Sequence, residues 1–184
     1  MTTFNVPNRE EVAAVNQQIF DSLNSKLGFV PNLYATMAYS ETGLKKYLEF
    51  QGAKTSFSNK EKEVINLVVS EYNNCAYYKA AHTAMAKMNG FGDEQILDLR
   101  AANVNWDSKL SALAKLTLAI TASKGQSVEQ EIEDFFAEGY DKGSLVDLVI
   151  AIADKVVMNY LHNITKITVD FPAAPELEAA LEAH

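Results

Sequence analysis

The sequence predicts an all-α fold, a single-domain helical bundle of about eight helices. Apolar residues recur at intervals of three and four along most of the chain, which is the spacing of an amphipathic helix. No segment shows the convincing alternation of apolar and polar residues that is typical of a half-buried strand. The length of 184 residues, with 48% hydrophobic and 22% charged residues, fits one globular domain spanning residues 1–184.

Capping and stop residues set the predicted helix boundaries. The first helix ends at Gly28, and Pro31 keeps the following turn from extending it. Ser58 and Ser127 each begin a capping-box sequence, and Asp107 caps a further helix. In chain order the predicted helices cover Arg9–Lys26, Thr42–Lys54, Ser58–Tyr72, Cys75–Met88, Asp93–Ala102, Ser108–Ser123, Ser127–Gly139 and Ser144 to about Ile167, with shorter helical turns over Leu33–Tyr39 and Glu176–Ala183.

The charge and cysteine content exclude several classes of function. The 24 acidic and 16 basic residues give a net charge of −8, which argues against binding to nucleic-acid phosphates or to anionic lipid. The single cysteine excludes an intramolecular disulfide. The first ten residues lack the pattern of an export signal, and charges interrupt the most apolar stretch, Leu145–Leu161. We therefore expect a cytoplasmic protein with neither a membrane nor a nucleic-acid partner.

One segment carries the candidate chemistry. On a helix, Cys75, Tyr78 and His82 share a face, and Cys75 lies in the first turn, where free amides and the helix dipole stabilise a thiolate. Glu63 belongs to the preceding helix and approaches His82 if Asn73-Asn74 lets the two helices fold back, which would raise the basicity of the imidazole. The competing interpretation is a buried, inert cysteine among core aromatic residues.

A metal site is not expected here. Glu63, Cys75 and His82 offer three ligand types, but Cys75 and His82 are two helical turns apart, roughly 10 Å along the axis. No cofactor is predicted either.

These residues carry a resemblance to a known family. Glu63, eleven intervening residues, Cys75-Ala-Tyr-Tyr78 and His82 resemble the Glu-x11-Cys-x-x-Cys-x-x-x-His motif of the alkyl hydroperoxidase D-like, carboxymuconolactone decarboxylase family. The segments 28–34 and 168–172 are similar to those of its peroxidase-related members. The resemblance extends from about residue 25 to 172. Tyr78 stands where the family has its second cysteine.

The resemblance implies an all-α homo-oligomer, a dimer, trimer or hexamer, with peroxidase chemistry. In the family's peroxidases the second cysteine attacks a hydroperoxide, the first cysteine resolves the sulfenic acid as a disulfide, and the glutamate and histidine relay the proton. A lipoylated or thioredoxin-like partner then restores the dithiol. Because Cys75 matches the resolving cysteine, this two-cysteine cycle cannot run within the chain.

Three functional interpretations remain. The first, which we favour on the sequence, is antioxidant peroxide or thiol redox chemistry at Cys75, with a Glu63/His82 proton relay, a hydroperoxide or other small-molecule substrate and an external thiol reductant. The second is a decarboxylase-type proton-transfer enzyme that uses Glu63, Tyr78 and His82, although no basic cluster is evident that would hold a carboxylated substrate. The third is a non-catalytic oligomer that retains only the fold.

Overall fold

The computed structural model describes residues 4–177, and these residues form an all-α fold, as predicted. A short 3-10 helix, Arg9–Glu11, precedes the α-helices. The α-helices are α1 Ala14–Leu27, α2 Asn32–Met37, α3 Gly43–Gln51, α4 Asn59–Tyr72, α5 Ala76–Met88, α6 Asp93–Arg100, α7 Ser108–Ser123, α8 Glu129–Ala137 and α9 Lys142–Thr165. No helix within these residues is long and apolar enough to cross a membrane.

The chain forms two compact units. One contains residues 4–54 and 161–170, and the other contains residues 55–160 and 171–177. The predicted terminal helix, Glu176–Ala183, lies largely outside the described residues. The assignment of residues 1–184 to a single domain stays a prediction.

In the first unit, α1 packs against α3 around a small apolar core that includes Phe20 and Leu44. Gly28 ends α1 in the left-handed conformation, with a φ of 84°, as its position in the sequence predicts. Asn16 is fully buried, and its side-chain Nδ2 donates hydrogen bonds to the carbonyls of Ala38 and Ser40 at 3.1 and 3.0 Å. These bonds attach the loop that follows α2 to α1.

In the second unit, α4 lies at the centre, in contact with α5, α6 and α7. The capping box at its start is formed as predicted: the Ser58 amide donates to the Glu61 carboxylate at 2.8 Å, and the Glu61 amide donates to the Ser58 hydroxyl at 3.3 Å. The apolar residues of α4 are buried on most sides, namely Val64, Ile65, Leu67, Val68 and Val69. Asp107 caps α7, also as predicted, by accepting a hydrogen bond from the Leu110 amide.

Three predicted helix starts are wrong. The helix predicted from Arg9 begins only at Ala14, because Val12 is extended and separates it from the 3-10 helix Arg9–Glu11. Ser127 does not cap α8, because it adopts a left-handed φ of 54° and the helix begins one residue later, with Val128 at the N-cap and no side-chain cap. The helix α9 begins before Ser144, at Lys142, because the Asp141 carboxylate accepts a hydrogen bond from the Ser144 amide at 2.7 Å. Asp141, the acidic residue that precedes the helix, is therefore the residue that caps it.

Candidate active site

The turn between α4 and α5 brings the two motif helices together. The helix α4 ends at Tyr72 with Asn73 as its C-cap residue, and Asn74 reverses the chain with a left-handed φ of 47°. The Cys75 amide then donates to the Ser70 carbonyl at 2.9 Å. Cys75 is therefore the N-cap residue of α5. The sequence predicts it in the first turn of the helix, so this prediction is wrong by one position.

Glu63 and His82 meet across this helix pair, as predicted. The Glu63 carboxylate Oε2 lies 2.8 Å from His82 Nδ1, and both residues are only 4% exposed. A carboxylate can only accept a hydrogen bond, so Nδ1 carries the imidazole proton. In the neutral ring the other nitrogen, Nε2, is left with a free lone pair.

Lys155, which the sequence reasoning missed, completes the site from α9. Its side-chain Nζ lies 3.4 Å from His82 Nε2 and 3.3 Å from the Asp154 carboxylate, and the residue is 2% exposed. The lone pair of Nε2 thus faces a lysine N–H donor. The three side chains thus form one buried hydrogen-bonded line, in which the Glu63 carboxylate accepts at one end, His82 lies in the middle and Lys155 donates at the other end.

A signal for Lys155 was present in the sequence. The Asp154-Lys155 pair interrupts the long apolar stretch of α9, and charged residues are rarely buried unless they are paired. No basic cluster is evident in the sequence around the motif, and the structure adds one basic side chain to the site, that of Lys155, which lies 73 positions beyond His82.

The surroundings of His82 lower the pKa of its imidazole. Burial disfavours the charged ring most strongly, and the positive charge of Lys155 adds to this effect. The hydrogen bond and charge of Glu63 act in the opposite direction without reversing the shift. The expected gain in basicity from Glu63 is therefore outweighed, and the imidazole is neutral at neutral pH.

Tyr78 covers one side of this line. Its ring stacks on the His82 imidazole with centroids 5.1 Å apart and an interplanar angle of 26°. Lys155 Nζ lies 4.4 Å from the centre of the same ring, a cation–π contact. Tyr78 thus contacts both the histidine and the lysine.

Cys75 has a different environment. It is a free thiol with no exposed surface. Burial raises the pKa of this thiol, and the backbone amide of Tyr78 and the side chain of Asn159 offset the effect only in part. The expectation of a stabilised thiolate is therefore wrong, since loss of solvent outweighs the helix N-terminus.

A polar cluster lies beside this thiol. The fully buried Asn159 donates to the Ser70 hydroxyl at 3.3 Å and accepts from the Asn73 side chain at 3.1 Å. These bonds connect α9 to the end of α4. Within the part of the chain that the structure describes, no group of three or more His, Cys, Asp or Glu side chains is arranged to hold a metal ion.

The comparisons with known proteins fit this geometry. The family model "carboxymuconolactone decarboxylase family" matches residues 41–119, which include Glu63, Cys75, Tyr78 and His82. The protein YdfG of Bacillus subtilis is 30% identical over 101 residues, which cover 54% of this chain and 69% of that protein. The chain belongs to the carboxymuconolactone decarboxylase family.

Solved structures with low sequence identity share the fold of this family member. Peroxidase-related proteins from Silicibacter sp. TM1040 and Ralstonia eutropha JMP134 match it with TM-scores of 0.79 at 19% and 17% identity, over 98% of this chain and 95% and 96% of theirs. The debrominase Bmp8, in complex with 2,3,4-tribromopyrrole, matches with a TM-score of 0.74 at 15% identity, over 92% and 93% of the two chains. These likenesses confirm the prediction that this chain has the all-α fold of alkyl hydroperoxidase D-like proteins.

Proposed function

We propose that this family member is a proton-transfer enzyme that acts on a small carbonyl compound, such as a lactone or a β-keto acid. The observation that carries the proposal is the buried line from Glu63 through His82 to Lys155, with contacts of 2.8 and 3.4 Å. The line contains a base, a group that orients the base, and a cation in one water-excluded site. It needs no thiol and so tolerates Tyr78 in place of the second cysteine.

The proposed step is proton abstraction next to a carbonyl group. Nε2 of the neutral His82 takes the proton from carbon, and the carboxylate of Glu63 stabilises the resulting imidazolium through Nδ1. Lys155 turns an N–H from Nε2 to the substrate oxygen, where negative charge develops as the enolate forms. Return of the proton to another carbon completes an isomerisation. With a β-keto acid no proton is abstracted first: loss of carbon dioxide leaves the bonding electron pair as the enolate, Lys155 stabilises its charge, and the Tyr78 hydroxyl acts as the acid that donates a proton to the carbon.

Exchange of carbon-bound hydrogen in D2O, followed by NMR, tests this function. We expect the wild type to accelerate exchange in a panel of lactones and β-keto acids, or to decarboxylate the latter. Glu63→Gln, His82→Gln and Lys155→Met should each slow turnover by about 10²-fold or more, the usual contribution of general acid–base groups. Cys75→Ser is the matched control, because it alters a buried side chain of the same helix pair outside the line. Loss of activity in Cys75→Ser alone would contradict the proposal.

A second candidate is one-cysteine redox chemistry in antioxidant defence, and the polar cluster at Cys75 favours it. The Tyr78 amide and Asn159 side chain both favour a thiolate at a position the family uses for a cysteine. The sulfur would attack a hydroperoxide, forming a sulfenic acid and releasing an alcohol. One external thiol would then displace water to form a mixed disulfide, and a second would release the Cys75 thiol and leave as the oxidised disulfide of the reductant. This role would place the protein in the cytoplasm with a soluble thiol reductant.

Stopped-flow reduction of cumene hydroperoxide with dithiothreitol distinguishes the two functions. The redox function requires consumption that disappears in Cys75→Ser and persists in Lys155→Met. Equal consumption by the wild type and Cys75→Ser rejects it. If neither assay shows turnover, the third interpretation, a non-catalytic oligomer, gains support.

A further inference from the structure

Lys155 has an environment that no other lysine of the described residues shares. It is the only buried lysine among them. Its Nζ lies 3.3 Å from the Asp154 carboxylate, 3.4 Å from His82 Nε2 and 4.4 Å from the centre of the Tyr78 ring. A buried ion pair needs only the carboxylate. The additional contact with a nitrogen lone pair places a base directly beside the lysine.

The carboxylates on either side allow one proton to be shared between Lys155 and His82. The ammonium donates towards Nε2, so the proton can move across the 3.4 Å contact. Before the move Asp154 pairs with the ammonium at 3.3 Å, and after it Glu63 pairs with the imidazolium at 2.8 Å. The positive charge thus has a carboxylate partner in both positions. The lysine becomes a neutral amine without losing its proton to solvent.

A neutral amine in a water-excluded site is a nucleophile for aldehyde and ketone carbonyl groups. We infer that Lys155 forms a covalent iminium with the carbonyl carbon of an aldehyde or ketone substrate. This inference rests on the proposed function and deepens it. The iminium nitrogen, in place of a hydrogen-bonded oxygen, takes up the electron pair that remains when a proton or carbon dioxide leaves the neighbouring carbon.

The covalent step balances in atoms and charge. After a proton passes to His82 Nε2, the Nζ lone pair bonds to the carbonyl carbon and the π pair moves to the oxygen. His82 carries two of the three ammonium protons in turn from Nζ to that oxygen, which leaves as water. The nitrogen lone pair then closes the C=N bond, and the third proton stays on the iminium. Nε2 is again free to take a proton from the neighbouring carbon.

The surroundings of Nζ suit the iminium as well as the ammonium. Both are cations, so the Asp154 carboxylate and the face of the Tyr78 ring stabilise either one. A lactone cannot follow this route, because attack by an amine opens its ring to an amide and no iminium forms. The inference therefore narrows the proposed substrates to β-keto acids and other ketones or aldehydes.

Reductive trapping tests the covalent step without requiring turnover. The protein is incubated with acetone or acetoacetate and sodium cyanoborohydride, which reduces an iminium to a stable secondary amine, and tandem mass spectrometry locates the modified lysine. Lys79 is the internal control, because its side chain is only 14% exposed and pairs with Glu71 at 3.7 Å and with Asn74 at 3.1 Å, not with an imidazole. We expect Lys155 to be modified about 10-fold faster than Lys79 or more. Equal or slower modification of Lys155 overturns the inference.

Substitution of the neighbouring base tests how the amine is generated. His82→Gln should slow the modification of Lys155 by about 10²-fold, because the proton acceptor is lost. His162→Gln is the matched control, since it removes another buried histidine, whose Nε2 donates to the Ile167 carbonyl at 3.2 Å, and it should leave the rate unchanged. Far-UV circular dichroism shows that each variant is folded. An unaltered rate in His82→Gln contradicts the inference.

The deuterium-exchange assay separates this inference from the proposed function. Exchange without an adduct on Lys155 overturns the inference and supports the role of Lys155 as a hydrogen-bond donor. An adduct on Lys155 without exchange or decarboxylation supports the covalent step and contradicts the proposed function. Absence of the adduct and of both reactions overturns both.

Discussion

His82 is the residue on which the opposing charges of the site act. Glu63 raises the pKa of its imidazole, while burial and Lys155 lower it. The two neighbours therefore have effects of opposite sign, and substitution of either one should reveal its contribution. Because both contacts are at buried atoms, solvent screens them little.

We predict opposite shifts in the pKa of His82 for two substitutions. Lys155→Met keeps the length of the side chain and removes its charge, so the pKa should rise towards 6.5, its value in an unperturbed histidine. Glu63→Gln removes the favourable charge, so the pKa should fall further below that of the wild type. Titration of the ring resonances by NMR measures both. Shifts in the same direction would show that the two groups do not act on His82 as the geometry indicates.

The lowered pKa also makes stability depend on pH. In the unfolded chain a histidine binds its proton near pH 6.5, whereas folded His82 resists protonation. The unfolded state therefore takes up more protons as the pH falls below about 6.5, and the free energy of unfolding decreases. Above that pH neither state is protonated, and this contribution is constant.

His82→Gln should reduce that loss of stability. Urea unfolding at about pH 7.5 and 5.5 should show a smaller difference in the free energy of unfolding for the variant than for the wild type. His162→Gln is the comparison, because burial also lowers the pKa of His162. The change that this variant causes in the difference between the two pH values measures how much His162 contributes to the pH dependence of stability. An unchanged difference in His82→Gln would mean that His82 is not held neutral by folding.

At the scale of elements, the start of α4 is the best test of local capping. The helix lies at the centre of the second unit and carries Glu63. Ser58→Ala removes the acceptor for the Glu61 amide and should lower the free energy of unfolding by about 1 kcal/mol. Ser127→Ala is matched in chemistry but removes no cap, so its effect should stay within about 0.5 kcal/mol. Urea denaturation measures both, and equal losses would contradict the structural distinction between the two serines.

The elements that the sequence predicted well are those fixed by local interactions. Glu63 and His82 are 19 positions apart, and the turn between their helices is encoded by neighbouring asparagines, so their approach could be derived from spacing. Ser58 and Ser127 begin similar four-residue patterns, yet only one forms a cap. The difference lies in the backbone of the serine itself, which is extended at Ser58 and left-handed at Ser127, and a four-residue pattern does not specify that conformation.

Lys155 could not be placed by such reasoning. It lies 73 positions from His82, and its contact depends on how α9 packs onto the motif helices. The raised pKa of the Cys75 thiol could not be predicted for a related reason. A helix N-terminus favours a thiolate wherever it lies, but the depth of burial that reverses this preference is a property of the assembled unit.

At the scale of the whole molecule, Cys75 reports on opening of the fold. Its thiol has no exposed surface, so a reagent reaches it only when the second unit opens. Labelling by dithionitrobenzoate should be slower by about 10³-fold or more in native buffer than in urea, as for a buried group in a stable domain. Absorbance of the released thiolate measures the rate, and denaturing mass spectrometry locates the adduct. Rapid labelling of the native protein would show that Cys75 is accessible and would favour the redox function.

The hydrogen-bonded line also constrains how this protein can change over generations. Glu63 and Asp154 carry negative charges and Lys155 is the positive charge between them, so Lys155 offsets both carboxylates. Loss of Lys155 alone leaves buried negative charge uncompensated, which typically costs about 3–5 kcal/mol, a large share of the stability of an average domain. A lineage that no longer needs the chemistry still cannot discard this lysine before the carboxylates. Persistence of Lys155 among descendants would therefore record a barrier to mutation, and only turnover of a substrate can show that selection for catalysis continues.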